Sequence, residues 1–376
     1  MVKVAFKMAR GRIVELVLLI VIDLWTVNSF QLHNPLTRLG LDASKFRPNA
    51  ARKQASSSIV MKHPAKVAVI GSGAVGLYYG GRLLEAGHDV TFLARRDLER
   101  LKKNGLRIKS VDGDIKFDRV KAVGDVSQIG EVDWILLSVK SYALEACKDL
   151  VKGCMGPNTR VLAVINGFGI ESCLGSDFPH EKIFGGMAFT CINRESDGEV
   201  NHLKYGAITF GHYKDDKEEL AKVVELFEGS KVQITTSECL LFSRWEKLCW
   251  NIPFNGIAVA MGGITTDIIV QDPDLRLLAR NVMEDVVKVG NEDLKASNIS
   301  PEYRLNEETI AAMFKRTDNM GPYRPSTMID LVEGKQMEVE YMFGNPLERA
   351  KALQMSCGYM ETVISMIKGI QRIRNL

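Results

Sequence analysis

The sequence predicts an α/β protein, with a mainly parallel sheet and its helices in the first half and only helices in the second. Before about residue 236, continuous apolar runs typical of buried strands, such as KVAVI at 66–70, alternate with helical patterns. Beyond that point, long helical patterns follow without strand alternation. The length of 376 residues is also more than one ordinary core accommodates, which indicates two domains.

Composition and charge narrow the possible function classes. Apolar residues make up 46% of the chain and charged residues 25%, the balance of a globular protein. The net charge of +3 is too small to indicate a nucleic-acid partner. The 7 cysteines and 6 histidines are scattered, without disulfide or metal-ligand spacing. We therefore expect reduced thiols and no metal site.

The N-terminal residues 1–64 are predicted to be a targeting extension and not part of the fold. Basic residues precede the apolar run LVLLIVI at 16–22, which is far too short to span a bilayer. A basic, serine-rich stretch that is poor in acids follows it. The order resembles the two-part presequences of algae with secondary plastids, in which the transit peptide begins at a phenylalanine, here Phe30. We expect import into a plastid; the alternatives are a mitochondrial presequence, or a cytoplasmic protein that starts at Met61.

A glycine-rich turn follows the first strand pattern. Residues 66–96 have the order strand, turn, helix, strand, and Gly71, Gly73 and Gly76 form the pattern G-x-G-x-x-G in the turn. The first glycine permits the tight turn, the second lets a pyrophosphate approach the backbone, and the third lets the helix pack on the strand. This context is typical of a Rossmann-type dinucleotide-binding domain. The predicted cofactor-binding residues of the turn are Gly71, Ser72, Gly73, Ala74, Val75 and Gly76.

Two arginines end the second strand pattern, at the place where an acid commonly binds the ribose hydroxyls of NAD. A guanidinium pairs instead with phosphate oxygens. Arg95, with Arg96 as the second choice, therefore predicts recognition of a 2′-phosphate, and NADPH as the cofactor. The alternative is that both arginines are solvent-exposed residues that open the next helix.

Two polar residues are predicted at the carboxyl ends of later strands, where open α/β sheets bind ligands. Lys140 lies after the strand of DWILLSVKSYALEA, and Asn166 ends the strand of TRVLAVINGFG. A surface lysine and a turn asparagine are the alternatives. Three strand patterns within 182–213 are expected to complete the sheet with antiparallel pairing.

A polar stripe marks the first helix of the second half, SRWEKLCWNIPFNGIAVAMGG. We expect the helix to begin with Ser243 as its N-cap and to kink at Pro253. Lys247, Asn251 and Asn255 recur every four residues, which places them on one face among apolar neighbours. Polar groups in a buried helix must be hydrogen-bonded or functional. An exposed Lys/Asn face is the alternative.

These motifs resemble the ketopantoate reductase (2-dehydropantoate 2-reductase) family over residues 65–376. The resemblance rests on GSGAVG, LARR, LLSVKSYALEA, INGFG, RWEKLCWNIPFN and RPSTMIDLVEGKQMEVEYMFG. It implies a Rossmann-type domain over 65–235 that binds NADP, and a helical domain over 236–376 that binds substrate and could form a homodimer. The implied activity is NADPH-dependent reduction of 2-dehydropantoate to (R)-pantoate, for pantothenate and coenzyme A synthesis.

The resemblance also implies roles for single residues. Lys247 matches the catalytic acid, and Glu338 matches the glutamate that supports this lysine and the substrate. Ser326 matches the serine that contacts the substrate carboxylate. The substrate-binding residues implied are Asn166, Asn251, Asn255 and Ser326. The cofactor-binding residues implied beyond the glycine turn are Arg95, Lys140, Asn166 and Glu338.

The chemistry of a 2-keto acid reduction suits these residue types. A lysine ammonium in a closed cleft can donate the proton that the developing alkoxide needs, and partial burial lowers its pKa towards neutrality. Amides and a hydroxyl suit a substrate that carries a hydroxyl and a carboxylate.

Two positions depart from the family pattern. A further substrate asparagine is replaced by Thr265 or Thr266, and MSCGYME at 355–361 lacks the usual proline. The first departure leaves room for a reductase of another branched 2-keto acid. A non-catalytic NADPH-binding regulator on the same fold is the second alternative.

Overall fold

The computed structural model describes residues 64–195 and 198–375 of the chain. The predicted targeting sequence, including Phe30 and Met61, lies outside the described residues. Within the described ranges, no helix is both long enough and apolar enough to cross a membrane.

One mixed sheet forms the first half of the fold. Its strands are β1 (Lys66–Ile70), β2 (Asp89–Leu93), β3 (Leu106–Ser110), β4 (Ile115–Phe117), β5 (Lys121–Val123), β6 (Val132–Leu137), β7 (Met155–Ala163), β8 (Ile183–Arg194), β9 (Val200–His212) and β10 (Ile234–Ser237). They lie in the order β4-β3-β9-β8-β7-β6-β1-β2-β5, with β10 on β9. Pairing is parallel from β5 through β2, β1, β6 and β7 to β8. The β8–β9 and β3–β4 pairs are antiparallel.

The parallel strands create a crevice beside β1. From β1 the chain moves to β2 on one side, and it later returns to the other side of β1 with β6. At this switch point the amide of Ser138, just after β6, donates a 2.9 Å hydrogen bond to the carbonyl of Ile70 at the end of β1. Open α/β sheets bind ligands at such a crevice, outside the carboxyl ends of the strands.

The antiparallel part of the sheet differs from its prediction in detail. Three strand patterns were expected within 182–213, but the last two belong to the single strand β9. Positive φ angles of 67° at Tyr205 and 112° at Gly206 make an irregularity within this strand. In the sequence this irregularity looks like a turn between two strands. Strand β10 was not predicted, because four residues give too short a pattern. The proposed domain boundary between 235 and 236 falls within β10 and stays a prediction.

Helices cover the sheet and form the second half. The helices are α1 (Ala74–Glu85), α2 (Leu98–Asn104), α3 (Leu144–Lys152), α4 (Ile170–Gly175), α5 (Lys217–Leu226), α6 (Leu240–Ala260), α7 (Thr266–Gln271), α8 (Pro273–Ala296), α9 (Glu307–Asp318), α10 (Ser326–Val332), α11 (Asn345–Ala352) and α12 (Gly358–Arg374). A π-helical turn, Glu340–Gly344, precedes α11. From residue 240 to 375 the described chain is helix and connecting loop, which confirms the predicted fold class.

Helix α6 begins four residues earlier than the sequence indicates, because its N-cap is Cys239. Ser243 was expected to be the N-cap, but it lies inside the helix, where its Oγ donates to Oγ of Ser237 at 2.7 Å. The group that satisfies the first turn comes from a distant loop, because the amide of Leu240 donates to Oδ1 of Asp215 at 2.9 Å. A cap supplied across 25 residues leaves no local sequence signal. The helix continues through Pro253 to Ala260.

Helix α6 is also the centre of the helical half. Its side chains are buried on nearly every side, and they share one apolar core with α8, α9 and α12. Indole nitrogens anchor it at two points: Nε1 of Trp245 donates to Oδ2 of Asp293 at 2.8 Å, and Nε1 of Trp250 donates to Oγ1 of Thr317 at 2.9 Å. A helix packed in this way holds its polar side chains in fixed positions.

Candidate active site

The glycine turn between β1 and α1 has the shape of a phosphate cradle. Gly71 has a φ of 99°, and a Cβ on it would lie 2.6 Å from the carbonyl oxygen of Ser138. A Cβ on Gly76 would overlap the carbonyl of Gly71 and Oγ of Ser138. At Gly73, by contrast, a Cβ would meet no heavy atom within 4 Å. Two glycines therefore permit close packing and the middle one leaves open space, beside the first-turn amides of α1, which have no partner within the helix; a pyrophosphate fits there.

Both arginines after β2 are available for an anion. The side chains of Arg95 and Arg96 are exposed, and within the described ranges neither forms a hydrogen bond or an ion pair. The acid that follows them, Asp97, is buried and paired with Arg194. This end of the crevice thus presents free guanidinium groups, and its nearest carboxylate is already neutralised.

Lys140 joins the end of β6 to the helical half. Its Nζ donates to Oδ2 of Asp330 at 2.6 Å and to Oε2 of Glu338 at 3.1 Å. The amide of Ser141 adds a 2.7 Å hydrogen bond to Oε1 of Glu338. Burial alone would lower the pKa of Lys140, but the two carboxylates outweigh it and raise that pKa above its usual value. The lysine is therefore a fixed cation in this structure.

This pairing differs from the one that the resemblance implied for Glu338. The expected partner was Lys247, but these two side chains share no hydrogen bond or ion pair within the described residues. Glu338 is instead almost fully buried against Lys140 and Ser141. Asp330, the other carboxylate in the cluster, was not singled out from the sequence. Its only signal there is an acid inside an otherwise apolar helix.

A cavity of about 440 Å³, called here the main cavity, brings most of the predicted substrate residues together. Asn166 reaches it from the end of β7, Lys247, Asn251 and Asn255 from α6, and Ser326 from the start of α10. Val75 of the glycine turn also lines it, so the cavity extends to the cofactor crevice. Three cations line it, Lys204, Lys247 and Arg324, whereas no described acidic residue does. The cavity is therefore built for an anion.

Lys247 is positioned by its helix and by the sheet beneath it. One turn earlier on α6, Arg244 forms a buried ion pair with Glu171 and donates to the carbonyl of Ile165 at 2.8 Å. This contact fixes α6 next to Asn166. The ammonium of Lys247 donates to the carbonyl of Ala188 on β8 and lies 4.8 Å from the centre of the Phe189 ring.

The surroundings of Lys247 weaken its hold on a proton. Burial, and after it the positive charges of Arg316 and Arg244, lower the pKa of Lys247 to about 7. The guanidinium of Arg316 also lies over the Phe189 ring, 4.5 Å from its centre. An ammonium group with a pKa near neutrality is suited to general acid catalysis.

The two asparagines of α6 differ in how far they are satisfied. The amide of Asn255 donates to the carbonyl of Asn251 at 3.1 Å, and its oxygen accepts from the amide of Thr327 at 3.0 Å. It is thereby held against α10. Nδ2 of Asn251 is buried and has no hydrogen-bond partner in the described structure. An orphaned donor that lines a cavity indicates an acceptor on the ligand.

The threonines that replace the further family asparagine stay out of the main cavity. Oγ1 of Thr265 donates to Asp267 at the start of α7. Thr266 is buried, and its Oγ1 donates to the carbonyl of Gly321 at 3.3 Å. Neither side chain lines the main cavity. Arg316 and Arg324 were not predicted as site residues. Arg316 is a single arginine on a helix without a distinguishing pattern, and Arg324, which begins the motif RPSTMIDLVEGKQMEVEYMFG, was given no role of its own.

A second cavity of about 410 Å³ lies on the other side of the same wall. Its polar lining includes Glu246, Lys231, Gln233 and Arg316. It shares four lining residues with the main cavity, namely Phe189, Tyr205, Lys247 and Trp250. Lys247 thus lies in a partition between two cavities.

Comparison with known families assigns both halves of the chain. Residues 67–215 match the model for "Ketopantoate reductase PanE/ApbA", and residues 240–371 match the model for its C-terminal part. A 2-dehydropantoate 2-reductase from Nostoc sp. is 33% identical over 305 residues, which cover 78% of this chain and 93% of the relative. An uncharacterised oxidoreductase of Bacillus subtilis is 27% identical over 310 residues, which cover 81% of this chain and 98% of the relative.

Solved structures give the same picture. A 2-dehydropantoate 2-reductase from Geobacter metallireducens superposes with a TM-score of 0.77 at 33% identity, over 81% of this chain and 99% of that one. The enzyme of the same name from Methylococcus capsulatus gives 0.74 at 27% identity, over 83% and 98% of the two chains. A D-mandelate dehydrogenase bound to NADH and anilino(oxo)acetate shares the fold, with a TM-score of 0.74 at 21% identity, over 83% and 99%.

Proposed function

The chain belongs to the ketopantoate reductase family, and from this we propose that it is an NADPH-dependent 2-dehydropantoate 2-reductase. In this proposal it converts the keto group of 2-dehydropantoate to the hydroxyl group of (R)-pantoate, a precursor of pantothenate and coenzyme A. The observation that carries the proposal is the main cavity, which presents a lysine with a lowered pKa, an unsatisfied amide and no described acid.

The residues of the crevice fit a nicotinamide dinucleotide. The open space at Gly73 and the first turn of α1 would hold the pyrophosphate, and Arg95 would hold a 2′-phosphate. When bound, NADPH supplies the hydride. Lys140, fixed by Asp330 and Glu338, would border the nicotinamide end together with Asn166.

The chain's own part in the reaction is to orient the keto acid and to donate a proton. Nδ2 of Asn251 donates to the substrate and thereby gains its missing partner. The ammonium of Lys247 donates a hydrogen bond to the keto oxygen, and its proton moves to that oxygen as negative charge develops there. Hydride at C2 and proton at oxygen complete the hydroxyl group, and Lys247 is left neutral until water reprotonates it.

In this proposal Glu338 acts by holding Lys140 in position at the nicotinamide end of the crevice. Its carboxylate already accepts from Lys140 and from the amide of Ser141, so it would have to leave both partners to reach Lys247. Its support of Lys247, as the resemblance implies it, remains a prediction.

The deciding experiment measures NADPH oxidation with a panel of 2-keto acids on the purified chain. 2-Dehydropantoate should give the highest kcat/KM. A higher value for another branched 2-keto acid would favour the first alternative, which gains some support from the absence of Thr265 and Thr266 from the main cavity. If the chain reduces none of these 2-keto acids, the result would favour the second alternative, a non-catalytic NADPH-binding regulator.

Lys247→Ala tests the mechanism on the same protein. We expect kcat to fall by at least about 10²–10⁴-fold, since the proton donor is lost, while NADPH binding, followed by fluorescence, stays the same. Asn251→Ala should instead act largely through KM. A near-normal kcat for Lys247→Ala would show that another group donates the proton.

The assembly and location of the protein remain proposals. A ketopantoate reductase from Staphylococcus aureus, 20% identical, is described as dimeric, and we propose a homodimer through the helical half here. We also propose that the N-terminal extension directs import into an organelle, with a plastid ahead of a mitochondrion.

A further inference from the structure

Arg324 is a cation in the wall of the main cavity that has no partner among the described residues. Its side chain is exposed and lines the cavity. In the part of the chain that the structure describes, it forms no hydrogen bond, ion pair or ring contact. The other two cations of the cavity are engaged: Lys247 contacts Ala188, and Lys204 donates to the carbonyl of Asn319 at 3.2 Å and lies over the Tyr205 ring.

The backbone that carries Arg324 is held on both sides. Before it, the carbonyl of Tyr323 accepts from the amide of Thr266 at 3.0 Å. After it, Pro325 fixes φ, and the amide of Thr327 donates to Oδ1 of Asn255 at 3.0 Å. The backbone at Arg324 is therefore fixed, while its guanidinium group forms no hydrogen bond or ion pair with the other described residues. Because the backbone is already fixed, only the side chain of Arg324 has to be ordered when it binds an anion, and its planar fork matches a carboxylate.

The neighbours of Arg324 determine which anion it can take. Ser326 is two positions further along and lines the same cavity, as do Asn251 and Asn255. In the proposed mechanism Lys247 loses its positive charge as its proton moves to the keto oxygen, so it does not balance the charge of the carboxylate throughout the reaction. A 2-keto acid brings one carboxylate into a cavity whose described lining has one uncommitted guanidinium and no acid.

Resting on the proposed function, we infer that Arg324 binds the carboxylate of the 2-keto acid and determines that the enzyme prefers keto acids over neutral ketones. The guanidinium donates to the carboxylate oxygens beside the hydroxyl of Ser326. This leaves Lys247 and Asn251 for the keto oxygen and the rest of the substrate. Arg324 is thus a specificity residue of the site.

The test compares an acid with its neutral ester on wild type and Arg324→Gln. The substrates are 3-methyl-2-oxobutanoate and its methyl ester, which carry the same keto group, and 2-dehydropantoate serves as the reference. For Arg324→Gln we expect kcat/KM with either acid to fall about 10- to 100-fold, mainly through KM, as for one charge-assisted hydrogen-bonded pair. The value for the ester should change less than about threefold. Arg324→Lys should recover part of the loss, because it keeps the charge without the fork.

Two controls make the outcome specific. Lys204→Gln removes a cation of the same wall that already donates to the carbonyl of Asn319, and it should lower the acid-to-ester ratio less than Arg324→Gln does. NADPH affinity should be the same in all variants, because Arg324 is assigned to the substrate and not to a cofactor phosphate. An equal loss for acid and ester, an unchanged value for the acid, the same ratio change in Lys204→Gln, or weaker NADPH binding would each overturn the inference.

Failure of the proposed function would give a different result from failure of the role assigned to Arg324. If wild type reduces 3-methyl-2-oxobutanoate better than 2-dehydropantoate, the proposed substrate is wrong while the role of Arg324 is still tested by the acid–ester pair. If wild type reduces no 2-keto acid at all, both are overturned.

Discussion

At the scale of single residues, the proton donor depends on charges that surround it. Lys247 would act only in its protonated form, and its pKa of about 7 is set by burial and by Arg316 and Arg244. Activity should therefore fall as the pH rises through about 7, because the fraction of protonated lysine falls. Arg244 is also tied into a buried ion pair with Glu171, whereas Arg316 lies on the rim of the second cavity and can be changed with less risk to the fold.

Arg316→Gln should move the alkaline limb of the kcat/KM–pH profile to higher pH. Removing a neighbouring positive charge makes the ammonium of Lys247 easier to keep, so the pKa of Lys247 rises. Arg276→Gln is the matched control, because Arg276 also lies over an aromatic ring, that of Phe314, but does not act on Lys247. A profile that is identical in Arg316→Gln and wild type would refute the assignment of the limb to Lys247.

Arg95→Asp should weaken NADPH binding far more than NADH binding. The change replaces an unpaired guanidinium by a carboxylate that repels a 2′-phosphate, while the free hydroxyl of NADH is unaffected or gains an acceptor. Dissociation constants for both nucleotides by fluorescence titration check this. Arg96→Asp tests the second candidate arginine in the same way, and equal losses for both nucleotides in Arg95→Asp would mean that Arg95 is only a surface residue.

At the scale of elements, α6 is the helix on which the site depends. Its polar face could be predicted from the sequence, because a spacing of four residues places Lys247, Asn251 and Asn255 together in any helix. Its beginning could not be predicted, because the cap is Asp215 from another segment. The four-residue strand β10 could not be predicted for a related reason, since its stability comes from pairing with β9.

Asp215→Ala should loosen the first turn of α6 and lower activity beyond its effect on stability. Loss of a helix cap costs about 0.5–2 kcal/mol. Asp216→Ala is the matched control, because Asp216 caps α5 by accepting from the amides of Glu218 and Glu219. Chemical denaturation should show similar losses for the two variants, and only Asp215→Ala should lower kcat/KM. Equal activities would indicate that the start of α6 does not position Lys247.

At the scale of the whole molecule, the sequence predicts the class of fold and the gathering of most of the site. The main cavity holds Asn166 and Ser326 together with the three polar residues of α6, although 160 positions separate the first from the last. The sequence did not predict which charged groups form pairs. Nothing local shows that Glu338 lies against Lys140, 198 positions away, because such a choice depends on how the helical half docks on the sheet.

Removal of residues 1–60 should leave catalysis unchanged. The match to the family begins at residue 67, and the first strand of the sheet begins at Lys66, so the described fold does not need the extension to start. The truncated and full-length chains should give the same kcat/KM with NADPH. In cells, residues 1–64 fused to a fluorescent reporter should direct it to an organelle, while the truncated enzyme stays in the cytosol. An insoluble or inactive truncation would contradict the targeting hypothesis.

The partition that holds Lys247 has a consequence for covalent chemistry. Only the neutral form of an amine attacks an electrophile, and an ordinary lysine with a pKa of about 10.4 is neutral in roughly one molecule in 2,500 at pH 7. With a pKa of about 7, Lys247 is neutral in about half of the molecules at that pH. Its side chain lines two cavities, so an acylating or arylating reagent could reach it from either one, but substrate bound to its ammonium in the main cavity should protect it by keeping it protonated. In the free enzyme Lys247 should therefore have the largest neutral fraction at pH 7 among the lysines of the described fold, and its covalent modification should inactivate the enzyme in competition with the keto acid.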